Sequence, residues 1–75
     1  MTRTTESVLS HVLTERNIQR ERYSLGHDDA HAPETWDDLI AMYAAKAAIG
    51  DDRRYVRLVQ VAAIAVAAAE QEPVR

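Results

Sequence analysis

An all-α chain of three helices, completed by self-association, is the fold this sequence predicts. Three observations carry that expectation. The stretch Tyr55 to Glu70, YVRLVQVAAIAVAAAE, offers no polar side chain between Gln60 and Glu70, so it has to be buried, and a helix apolar all round sits inside a bundle or between subunits. The stretch Trp36 to Ala47 sets Trp36, Leu39, Ile40, Tyr43 and Ala47 at i, i+3, i+4, i+7 and i+11, which is one face of a helix carrying the bulkiest side chains of the chain. The core is also lean: Phe is absent, one Trp and three Tyr supply the aromatic bulk, and thirteen alanines carry much of the apolar fraction. Each buried turn therefore removes little area from water, and a chain of 75 residues with so small a core gains from a homodimer or larger homo-oligomer.

The first helix is expected over about residues 5–23. Thr4 or Thr5 can cap it and Glu6 suits its first turn, while Val8, Leu9, Val12 and Leu13 give a packed face. The same sector then brings up Arg16, Gln19, Arg20 and Tyr23, polar groups where a simple amphipathic helix would place apolar ones. Two readings stand. The guanidinium forks and the amide could grip a phosphate or a partner carboxylate, or the helix outruns its core and the arginines snorkel.

Residues 24–34 read as a loop on their Gly, paired Asp and Pro. His27, Asp28, Asp29 and His31 lie in it, and His27, Asp29 and His31 are weak metal candidates by ligand type. Loop spacing fixes no geometry, so a turn whose Asp side chains bond backbone amides is the reading preferred over a metal site. The second helix is expected over about 35–49, with Thr35 and Asp38 in the form of a capping box and Gly50 closing it. The short link Gly50-Asp51-Asp52 implies an antiparallel hairpin with a third helix over about 52–70, capped by Asp51 or Asp52. On that helix Tyr55, Leu58, Val59, Ala62, Val66 and Ala69 share one face. Its apolar run, Val61 to Ala69, is well short of the roughly 20 residues that span a bilayer. A flexible tail, 71–75, follows.

The net charge of −3 is unevenly spread. Seven acids (Asp28, Asp29, Glu34, Asp37, Asp38, Asp51, Asp52) face only Lys46 between His27 and Asp52, and the other eight basic residues lie in the flanks. No broad basic surface for direct nucleic-acid binding results. The acids are either solvated helix ends or an acidic docking patch, with Asp28, Asp29, Asp37 and Asp38 as its partner-binding residues. Cysteine is absent, which removes disulfides and thiolate metal sites, and no signal peptide opens the chain, so a cytoplasmic protein without membrane attachment is expected. Neither a Gly-rich phosphate loop nor a nucleophile motif occurs, and no cofactor is expected.

Three pieces carry a family resemblance: ERNIQRERY (Glu15 to Tyr23), HDD followed by TW (His27 to Trp36), and LVQVAAIAVAAAE (Leu58 to Glu70). Together they resemble small phage and actinobacterial proteins of the MazG-like, all-α nucleotide pyrophosphohydrolase group. That resemblance implies a magnesium site built from glutamates on the Trp-headed helix and acids near the start of the last helix. Here Met42, Tyr43 and Lys46 stand at the first set of positions and Arg57 and Gln60 at the second, so the resemblance implies a copy without catalysis. The expected function is a non-catalytic phage or prophage-type protein that inhibits a host enzyme or defence complex by protein contact, as an anti-CRISPR protein does, with acidic mimicry of nucleic acid as a means. The alternative is a nucleotide-binding sponge or pyrophosphohydrolase-like enzyme using the Arg16/Gln19/Arg20 face and the His27/His31 loop.

Overall fold

The computed structural model of the chain describes residues 2–22 and 33–74. Those residues form three α-helices and no strand: α1 (Thr5–Arg22), α2 (Pro33–Ala48) and α3 (Arg54–Glu70). Thr4 rather than Thr5 caps α1, its Oγ1 accepting the Ser7 N–H at 3.1 Å. Helix α2 starts two residues before Thr35, at Pro33, where the fixed φ of proline suits a first helical position and its missing N–H costs nothing. Thr35 therefore lies within the first turn instead of capping it.

The α2/α3 turn is held by α3's own arginines. Gly50 takes a φ of +76°, a left-handed conformation that glycine adopts without strain, and its N–H donates to the Ala47 carbonyl at 3.2 Å. Arg54 Nη1 donates to the same carbonyl at 2.7 Å and Arg57 Nη1 to the Lys46 carbonyl at 3.0 Å, so two cations cover the negative end of α2. Asp51 completes the turn by accepting the Arg53 N–H at 3.0 Å and pairing with Arg57 at 3.1 Å. Helix α3 starts at Arg54 with no side-chain cap, so Asp51 acts upstream as a turn former and Asp52 is not a cap.

Helix α3 is the central element. It packs on α1 and on α2, which scarcely touch each other. Trp36, near the start of α2, meets Ile64 and Ala67 in the second half of α3, so those two helices are antiparallel. Val12 meets Val59 and Ala63 while Arg16 and Arg20 reach Glu70, so α1 runs parallel to α3.

The consequence is two apolar clusters instead of one core. Val12, Val59 and Ala63 form the first, flanked by Val8, Tyr55 and Ala62; Trp36, Ile64 and Ala67 form the second, flanked by Leu39, Ile40, Tyr43 and Ala68. Serving two neighbours on different sectors explains why α3 carries more than one apolar face. It also corrects the core expected from periodicity. Val59 is buried, but Leu58, Val66 and Ala69 face outward, with Leu58 44% and Val66 41% exposed. In α1 the inward pair is Val8 and Val12, and Leu9 and Leu13 are exposed. An apolar stripe says that a face can be buried; the positions of the neighbouring helices decide which face is.

Candidate functional site

The polar sector of α1 becomes a charge cluster at the far end of the parallel pair. Val8 and Val12 seat the first half of α1 against α3, and two further turns carry Arg16 and Arg20 level with the end of α3, where Glu70 is the last helical residue. Arg16 donates from Nε and Nη2 to Glu70 Oε1 at 2.9 and 2.7 Å, and Arg20 Nη2 donates to Oε2 at 2.7 Å. One carboxylate thus holds two guanidiniums, and these charge-assisted bonds are of the strong kind. Arg16 is only 5% exposed and Gln19, one turn from it on the same face, is 8% exposed. The Arg20 side chain is far more open, at 54%.

Of the two readings of the polar sector, snorkelling does not describe Arg16. Its head group is turned inward onto a carboxylate, and that carboxylate belongs to the same chain. Glu70 is the residue that sequence reasoning missed. The available signal was a lone acid closing an apolar helix, a position where a carboxylate opposes the negative end of the helix dipole unless a cation compensates it. Tyr23, the fourth member of the proposed phosphate set, lies outside the described residues, as do His27, Asp28, Asp29 and His31. Among the described residues no group of three or more His, Cys, Asp or Glu side chains could hold a metal ion.

The positions where the resemblance implies metal carboxylates lie along α2 and the first half of α3. Met42 is exposed, Tyr43 is half-buried in the second cluster, and Lys46 places its Nζ 4.9 Å from the centroid of the Tyr43 ring. Arg57 is tied to the Lys46 carbonyl and to Asp51, and Gln60 is half-buried. Asp37 and Asp38 are both exposed in the first half of α2.

At the other end of the parallel pair Tyr55 organises a second group. Its hydroxyl shares a hydrogen bond with His11 Nδ1, the two rings meet edge to face at 5.7 Å, and the Arg3 guanidinium stacks 3.5 Å from the Tyr55 centroid. Beside it runs an open crease of about 200 Å3 lined by His11, Thr14, Glu15, Tyr55, Val56 and Val59. No helix among the described residues is long and apolar enough to cross a membrane. Comparison with family models, with curated proteins and with solved structures finds no match for the chain.

Proposed function

We propose that the chain is a non-catalytic binding protein of phage or prophage type, which blocks a host enzyme or defence complex by protein–protein contact, as anti-CRISPR proteins do. One observation carries this reading. Where the MazG-like resemblance calls for magnesium carboxylates, α2 and α3 present Lys46 and Arg57, and the Arg57 guanidinium is anchored to the Lys46 carbonyl and Asp51. A cation fixed at that place repels a divalent ion and contributes no oxygen ligand. The exposed Asp37 and Asp38 are the described pair of the four-residue acidic docking patch, and they offer a basic partner a contact that needs only negative charge at a suitable spacing.

The first test is pyrophosphate release from nucleoside triphosphates with magnesium. None above the buffer blank is expected; release that rises with protein concentration and survives purification overturns the proposal. The second arm uses a partner recovered from bacterial host lysate and the double variant Asp37→Lys/Asp38→Lys. Its association rate should fall and lose its salt dependence while the helix content holds. An unchanged rate and salt slope refutes the charge contact.

A second reading has one observation in its favour. Two guanidiniums converge on one carboxylate as they would on a phosphate, so a nucleotide would bind by displacing Glu70. In that case Glu70→Gln should tighten nucleotide binding; in the protein-contact reading it changes only stability.

A further inference from the structure

We propose that the crease beside Tyr55 is the socket for one arginine side chain of a partner protein, with the Glu15 carboxylate accepting its guanidinium. Four polar side chains line the crease, His11, Thr14, Glu15 and Tyr55, together with Val56 and Val59. Three of the four already bond within the chain. His11 Nδ1 and the Tyr55 hydroxyl hold each other, and Thr14 Oγ1 donates to the Ser10 carbonyl at 3.1 Å. Glu15 is half-buried and has no hydrogen bond or ion pair among the described residues.

Neither helix supplies Glu15 with a cation. Its neighbours three and four residues away on α1 are His11, Val12, Ile18 and Gln19, so no lysine or arginine stands where a pair within the helix would form. His11, the one of them that can carry a charge, turns its Nδ1 to Tyr55 instead. Across the crease α3 offers Tyr55, Val56 and Val59. Arg3 stacks on the Tyr55 ring but does not line the crease. A carboxylate partly withdrawn from water loses hydration and, without a partner, gets nothing back within the fold. An external donor restores what burial removes.

Size and charge select that donor. About 200 Å3 falls below the roughly 300–1,000 Å3 of pockets that enclose drug-sized ligands, so the open crease takes one long side chain and not a whole small molecule. Val56 is 55% exposed and, with Val59, gives a methylene stem an apolar bed, which suits arginine and lysine alike. Between the two, the guanidinium is the head group whose donor fork matches a carboxylate with two parallel bonds. Tyr55 already takes one guanidinium, that of Arg3, on its ring. The net charge of −3 favours the approach of a basic surface. That the arginine belongs to a protein rests on the protein-contact reading above; the unpartnered carboxylate in the crease does not.

The experiment is an NMR titration of the full chain with N-acetyl-arginine amide at about 0.15 M salt. The neutral citrulline derivative, of the same shape, is the control. Saturable shifts at Val56, Val59 and Tyr55 are expected, with a dissociation constant of about 1–20 mM, as suits a single side chain taken out of its protein. Glu15→Gln should weaken binding at least about fivefold, whereas Glu6→Gln should leave it unchanged and citrulline should not saturate. Glu15→Gln should also melt no lower than the wild type, because its carboxylate holds nothing within the chain. Shifts that never saturate, equal binding of citrulline, or an unchanged constant in Glu15→Gln overturn the socket. An equal loss in Glu6→Gln overturns it too, by showing only general attraction to an acidic chain. A melting temperature lowered by more than about 3 °C in Glu15→Gln reveals a structural role and overturns the assignment. If arginine fails to bind while Asp37→Lys/Asp38→Lys still slows partner association, the socket alone falls. Magnesium-dependent pyrophosphate release beside saturable arginine binding overturns the partner protein as the source of the arginine and supports the recognition itself.

Discussion

Replacing Glu70 by Ala tests the charge cluster directly. The substitution removes the carboxylate that accepts two bonds from Arg16 and one from Arg20 and leaves a guanidinium that is 5% exposed beside an apolar helix. Breaking a fully buried pair by removing one partner costs about 3–5 kcal/mol. The Glu70 side chain is 33% exposed, so water reaches the vacated place and reduces the cost to about 2 kcal/mol. The Arg20 arm adds little, because exposed pairs contribute only about 0.2–1 kcal/mol. At fixed protein concentration a loss of about 2 kcal/mol should lower the melting temperature by roughly 10 °C in a domain of this size. Melting followed by circular dichroism at 222 nm, the standard helix wavelength, reads the shift, and the pair Arg16→Met and Glu70→Ala closes a double-mutant cycle. A drop of less than about 3 °C for Glu70→Ala, or additive single effects, would show that the cluster contributes nothing to the fold.

Three further substitutions test other parts of the structure by the same melting assay. Thr4→Ala removes the α1 cap and should cost about 1 kcal/mol, whereas Thr5→Ala should change stability by less than about 0.5 kcal/mol; equal effects would mean that Thr4 is not the cap. Gly50→Ala should cost about 1–2 kcal/mol through its φ of +76° alone, because an added Cβ meets nothing closer than the Ala48 carbonyl oxygen at 3.9 Å; a stabilised variant would contradict that backbone conformation. Ala63→Leu forces extra volume into a site that is 0% exposed and lies against Val12 and Val59, and should cost about 1–3 kcal/mol; a neutral result would mean that α1 and α3 do not pack there.

Much of the fold was legible because it is written in local spacing. Trp36, Leu39, Ile40, Tyr43 and Ala47 follow one helical period, and all five pack on α3 or lie buried. Gly50 and the two aspartates after it mark a short turn, and a turn that short leaves only an antiparallel hairpin. What could not be read locally is which sector of a helix with more than one apolar face each neighbour takes. Leu58 and Val59 are equally apolar, and only the placement of α1 buries one and exposes the other. The arginine site was half legible for the same reason. Arg16, Gln19 and Arg20 stood out as polar groups on an inward face, but their carboxylate, Glu70, lies 54 residues from Arg16 and is brought there by the parallel run of α1 and α3. The Asp28/Asp29 patch and the His27/His31 loop fall outside the described residues, so the structure assigns them no place.

The most direct measurement is calorimetric titration of the full chain with nucleoside triphosphates, with and without magnesium. If Arg16 and Arg20 serve Glu70 and the chain acts by contact with another protein, no saturable heat appears in either condition. A saturable, magnesium-dependent isotherm that is lost in Lys46→Ala or Arg57→Ala would contradict the non-catalytic reading. One that is independent of magnesium and strengthened by Glu70→Gln would reassign the arginine cluster to nucleotide binding.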